Sequence, residues 1–237
     1  MASGHRPRPK RSRGGGAIPY IGLAVLAVAA VALTGVALSS ARPSGGGTSG
    51  AAPSVTESPS AVTVSILGDS HAAAADGWWR QTVGAGTVDG VREGAFEAYE
   101  GATASALTEH LDAATADGGL VVVQAGTYDL EAGRTAGETA TDVAALWQGV
   151  LDRGATPVAA LLPPSGDRGE ETDDVNRRLR DGAADRGIDV LDLTTAVQGG
   201  EGDWKSGLTD DGVLANATAA ARMAQAADEQ LGALAGR

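Results

Sequence analysis

The chain has 237 residues, enough for one ordinary α/β domain with appendages, and its 18 Lys and Arg against 30 Asp and Glu give a net charge of −12. It contains no cysteine and only three histidines, His5, His71 and His110; this excludes disulfide scaffolds, thiolate zinc sites and Cys nucleophiles, and leaves too few imidazoles for a multi-histidine metal centre. Aromatic residues make up 3% of the chain, too few for a base-stacking nucleic-acid platform.

The charge is unevenly spread along the sequence. Residues 1–16 form a basic tail with Arg6, Arg8, Lys10, Arg11 and Arg13 and no acid. Six of the 18 basic residues precede Glu57, the first acid, which leaves 12 against all 30 acids and a net −18 from there onward. A surface so acidic repels phosphate backbones, so no nucleic-acid partner is expected.

Residues 17–39, AIPYIGLAVLAVAAVALTGVALS, carry no charged side chain. About 20 apolar residues span the hydrocarbon core of a bilayer. The basic cluster in front of the span places that end in the cytoplasm and everything after it outside. The run exceeds the usual signal-peptide core of about 7–15 residues, which favours a single-pass membrane anchor. The alternative is a signal sequence cleaved near Ala41 and a secreted domain. Residues 40–60, SARPSGGGTSGAAPSVTESPS, are rich in Ser, Gly and Pro and form a linker.

The remaining residues, 61–237, alternate between two patterns. Short apolar runs at 61–67 (AVTVSIL), 120–125 (LVVVQA), 157–162 (PVAALL) and 188–193 (IDVLDL) are predicted strands, and continuous hydrophobicity suits a parallel sheet covered on both faces. Helices are predicted at 103–116, 138–153, 171–186 and 216–234, with Gly154, Gly187 and Pro163-Pro164 at their boundaries. For 85–100 the pattern gives only an edge strand near Val88–Val91 followed by a loop. Gly84, Gly86 and Gly90 follow no strand and make no dinucleotide loop. Strands alternating with helices predict a three-layer αβα sandwich around a parallel sheet.

Active groups in such sheets gather at the carboxyl ends of the strands. The first strand ends in Gly68-Asp69-Ser70-His71, and Ser70 beside a helix N-terminus is placed for nucleophilic work with backbone N–H groups at hand for an oxyanion. Trp78 and Trp79 are expected to pack the first helix. Glu170, Glu171, Asp173 and Asp174 are expected to form a solvated helix N-terminus. Asn216 is expected to cap the last helix.

The blocks SILGDS, EGATASAL, VVVQAGTYDL, LLPPS and LTDDGVLANATAAARMA, in this order across residues 61–237, resemble the SGNH (GDSL) hydrolases. That resemblance implies a flavodoxin-like sandwich and hydrolysis of esters, including lipids and O-acetylated glycans, without a cofactor or metal. By position it implies Ser70 as nucleophile and one oxyanion donor, Gly101 as a second donor, and Asp211 as the acid of the last block. Asp69, His71 and Gly126 fall at the expected pocket.

Two positions depart from the family pattern. Tyr128 stands where the third block has an oxyanion-donating asparagine, and Leu214 stands where the last block has its catalytic histidine. Ala215 replaces the proline that usually follows, while Asn216 keeps the register. Without a base a serine hydroxyl is a poor nucleophile; losing it costs on the order of 10⁶ in kcat, and losing a side-chain oxyanion donor costs roughly 10²–10³. His71 leaves the strand tip beside Ser70 and is expected to line the pocket, while His110 is expected on a helix surface. Two functions follow: a binding or accessory protein of the cell envelope that has lost acyl chemistry, or a serine esterase using Ser70 with a non-standard base. Its partners would be the membrane and an acylated or acetylated glycan or lipid ester.

Overall fold

The computed structural model describes residues 61–200 and 202–237. The predicted tail, span and linker lie outside the described residues; within them no helix is long and apolar enough to cross a membrane.

In chain order the elements are β1 (Val62–Gly68), α1 (Ser70–Ala73), α2 (Trp78–Gln81), β2 (Val91–Ala98), α3 (Ala104–Leu107), α4 (Leu111–Ala114), β3 (Leu120–Gln124), α5 (Thr127–Glu131), α6 (Ala136–Asp152), β4 (Thr156–Ala160), α7 (Gly169–Arg186), β5 (Asp189–Leu191) and α8 (Ala217–Ala235). All strand pairs are parallel, in the order β2-β1-β3-β4-β5. This is the flavodoxin-like winding, whose switch point lies between β1 and β3.

The side chains of β3 explain the two covered faces. Val121 and Val123 enter one core with α3, α4, α6 and α7, whereas Val122 enters the other with α1, α2 and α8. Trp78 and Trp79 are both buried in the second core as expected, their rings edge-to-face at 5.6 Å. Helix starts follow side-chain chemistry. Thr135 and Glu138 form a reciprocal capping box at α6, and Asn216 accepts from Thr218 and Ala219 at α8. Gly187 ends α7 in the left-handed conformation.

The structure corrects the sequence expectation for 85–100. β2 runs Val91–Ala98, beyond the edge strand expected near Val88–Val91. Its pairing with β1 shifts register between Val64 and Ile66, where Ser65 Oγ accepts from the Ala95 N–H at 3.0 Å. A Cβ on Gly94 would stand 2.4 Å from that hydroxyl oxygen, so the bulge requires glycine. The stretch predicted as one helix, 103–116, is instead α3 and α4 joined by a 3₁₀ turn at Thr108–His110.

Candidate functional site

β1 delivers Ser70 through a tight turn. A Cβ on Gly68 would meet Ala72 Cβ at 2.8 Å, so glycine lets α1 fold back on the strand end. Asp69 caps α1 by accepting from the His71 N–H at 3.1 Å, and Ser70 becomes the first helical residue. The turn after β2 then brings Gly101, in the left-handed region at φ +72°, against it. The Gly101 N–H donates to Ser70 Oγ at 2.9 Å. A second tie closes this side: the Ala104 N–H donates to buried Asp129 Oδ2 at 2.9 Å, fastening the turn after β2 to α5 and its Tyr128.

Ser70, Ala74, Glu100, Gly101, Tyr128 and Leu214 enclose an open cleft of about 390 Å³. Ser70, Gly101, Tyr128 and Leu214, four positions singled out from sequence, therefore converge on one space. Asp69 and Gly126 lie beneath it instead of on its walls. Asp69 is fully buried, and Gly126 faces Thr139 and Leu162. Glu100 is a wall residue that the sequence analysis did not single out: it opens the EGATASAL block, but it sits in the turn after the strand that the pattern misplaced.

The loop 207–216 supplies the far wall. Asp211 Oδ1 accepts from the Val213 and Leu214 N–H groups, both at 2.8 Å. Thr209 Oγ donates to the Leu214 carbonyl at 2.7 Å and accepts from the Gly212 N–H at 2.9 Å, and Thr209 bridges Ala215. The Leu214 N–H, and then the Val213 N–H, hold the Asp211 carboxyl below its ordinary range. Asp211 thus engages the backbone of residue 214 while the side chain at that position is an isobutyl group.

No imidazole or carboxylate among the described residues hydrogen-bonds Ser70 Oγ. His71 lines a second, nearly closed cavity behind Leu214, with Ser70, Trp78 and Met223, that has about 10 Å³ of room, the space of one water. Both ring nitrogens of His71 are buried without a partner, and burial pushes its pKa down to about 4, partly opposed by Asp211. The imidazole is neutral at pH 7. Asp69 is shifted the other way. Burial raises it to about 7 against the His71 N–H, while Thr127 nearby lowers it somewhat without forming a hydrogen bond of normal geometry, and Oδ2 has no partner. Burial also raises Asp129. His110 lies on the surface as expected and stacks on Tyr99.

Among the described residues no group of three His, Asp or Glu side chains is placed to hold a metal ion. What the arrangement offers is a serine hydroxyl, the Gly101 N–H that donates to it, and an open cleft.

The fold has known counterparts. No curated protein sequence matches the chain. Among solved structures, a psychrotrophic esterase from Pseudoalteromonas is similar at TM-score 0.60 and 18% identity over 74% of this chain and 99% of that one. A carbohydrate acetylesterase from Sinorhizobium meliloti is similar at TM-score 0.59 and 18% identity over 73% of this chain and 99% of that one. A member of the lipolytic protein G-D-S-L family from Veillonella parvula is similar at TM-score 0.57 and 17% identity, over 71% and 97%. At these identities the likeness establishes the fold. The GDSL-like lipase/acylhydrolase family model matches residues 63–222, from β1 into α8, so the chain belongs to the GDSL-like lipase/acylhydrolase family.

Proposed function

We propose that this chain is a membrane-anchored, extracytoplasmic GDSL-family protein that binds an acylated or acetylated glycan or lipid ester in its cleft and is impaired in hydrolysing it. One observation carries the reading: among the described residues the only hydrogen-bond partner of Ser70 Oγ is the Gly101 N–H, and Leu214, which the resemblance puts at the position of the family's base, lines the same cleft. A hydroxyl without a proton acceptor stays a poor nucleophile, so Ser70 and Gly101 act as polar contacts for a carbonyl group. Tyr128 narrows the cleft in place of a shorter amide donor. The basic cluster at 6–13, the apolar run 17–39 and the linker 40–60 support an anchor that holds the domain outside the cytoplasm.

Hydrolysis of p-nitrophenyl acetate and butyrate by the full chain, beside Ser70→Ala, tests this. Equal rates are expected. Turnover well above the alanine variant would overturn the impairment and make the protein a serine esterase with a non-standard base. One observation favours that second reading: neutral, unpartnered His71 lines a cavity shared with Ser70. Extraction of membranes at high pH tests the anchor, with the full chain expected to stay in the pellet and a chain lacking 17–39 in the supernatant.

A further inference from the structure

Resting on the reading of the cleft as a binding site, we propose that its ligand carries a positive charge: an ammonium group attached to the acylated or acetylated moiety. Of the six wall residues, Glu100 alone is charged. Glu100 is exposed, and none of the ion pairs among the described residues engages it. Glu97 is different, because it accepts from the Tyr99 hydroxyl and faces His110 Nδ1 at 3.4 Å.

That arrangement fixes the Tyr99 ring against Glu97 and His110, which lie outside the cleft wall. Tyr99 immediately precedes Glu100, and its ring stacks on His110 with centroids 4.0 Å apart and planes at 28°. It is nevertheless 38% exposed, the one large aromatic side chain left so open among the described residues. The ring on the cleft wall is Tyr128, which is half-buried.

A phenol ring, Tyr128, and an unpaired carboxylate, Glu100, on the wall of one cleft are the donor set for an ammonium ion. The ring faces carry the negative side of the quadrupole, and the carboxylate supplies the full charge. No Lys or Arg lines the cleft, and a chain of net charge −12 draws cations toward such a concavity. A phosphate or carboxylate on the ligand would meet Glu100 unpaired. A neutral sugar ester enters but gains nothing from that charge.

Binding of acetylcholine and of its uncharged carbon isostere, 3,3-dimethylbutyl acetate, separates charge from shape. Both are measured by NMR titration of the full chain carrying Ser70→Ala in detergent micelles, corrected with protein-free micelles. Acetylcholine is expected to bind about 10-fold tighter, and the preference to vanish in Glu100→Gln and shrink several-fold in Tyr128→Leu. Equal affinities would overturn the positive charge and leave the cleft a binding site for uncharged esters. A preference that survives Glu100→Gln would also overturn the assignment. Binding of neither probe would overturn the cleft reading itself, and the charge inference with it.

Discussion

Two loops face each other across the cleft, and they preserve different things. On the Ser70 side, side chain and backbone both bring polar groups to the cleft: Gly68 allows the turn, Asp69 caps α1, and the Gly101 N–H reaches Ser70 Oγ. On the 207–216 side the order lies in the backbone. Asp211 and Thr209 hold the chain through the same residue, 214, whose side chain carries no nitrogen. Backbone order and reacting group are therefore separable. Asp211 is held by hydrogen bonds that the loop needs whatever residue 214 is, and on the proposed reading a base is missing from a loop that stays ordered.

The strongest way to break this comparison is to restore the chemistry on the preserved scaffold. Leu214→His together with Tyr128→Asn is expected to raise p-nitrophenyl acetate hydrolysis by on the order of 10³-fold, since it returns both a base and an oxyanion donor. The gain should disappear when Ser70→Ala is added. A double variant that folds by circular dichroism but gains nothing would mean that loop 207–216 does not aim residue 214 at Ser70.

The next effect concerns two buried groups with opposite shifts. Asp69, raised from 3.8 to about 7, binds more protons folded than unfolded between those values, so its contribution to stability falls as pH rises through that window. His71, lowered from 6.5 to about 4, binds fewer protons folded than unfolded, so its contribution rises from pH 4 to 6.5. The two slopes oppose each other where they overlap, and the wild type is expected to be nearly flat from pH 4 to 6.5. Asp69→Asn should unmask a loss of about 3 kcal/mol on acidification across that range, and His71→Leu a loss of similar size on raising the pH. Urea unfolding at a series of pH values checks both. Slopes in the single variants that match the wild type would show that the pair is not buried together.

Much of the scaffold is legible in the sequence because burial on both faces leaves a continuous signature. β1, β3 and β4 are dominated by Val, Ile, Leu and Ala, and their predicted ends fall within two residues of the observed ones. β2 is not legible. It is an edge strand with half-exposed side chains, and the bulge at Gly94 interrupts its alternation. The loss propagates to the site, since Glu100 sits in the turn that follows β2 and its block marks only the glycine after it. Ser70 and Gly101 stand out by their blocks. The burial of His71 depends on α8 packing against α1 and α2 from almost 150 residues away, which no local pattern encodes.

Smaller effects sharpen the distinction between holding a loop and doing chemistry. Asp211→Ala removes the acceptor of two backbone N–H groups and a weaker contact with the Thr209 hydroxyl. It is expected to cost about 1–2 kcal/mol of stability. The lowered pKa of Asp211 gives the same interaction a pH signature: its contribution is present above the unfolded carboxylate value of 3.8 and is lost as pH falls through the folded one. Hydrolysis should not change, because Asp211 has no imidazole to orient. A variant of normal stability with reduced ester turnover would reverse that assignment and make Asp211 part of a working site.

Asn216→Ala is the smallest of these tests. It removes the side-chain cap from the Thr218 and Ala219 N–H groups and a donor to the Gly207 carbonyl, and should cost about 1 kcal/mol. Asn216→Asp keeps the cap acceptor while losing the donor to Gly207. If the cap alone matters, Asp restores the midpoint of unfolding. If Asp is no better than Ala, the tie from α8 back to the loop is what keeps residue 214 at the cleft wall.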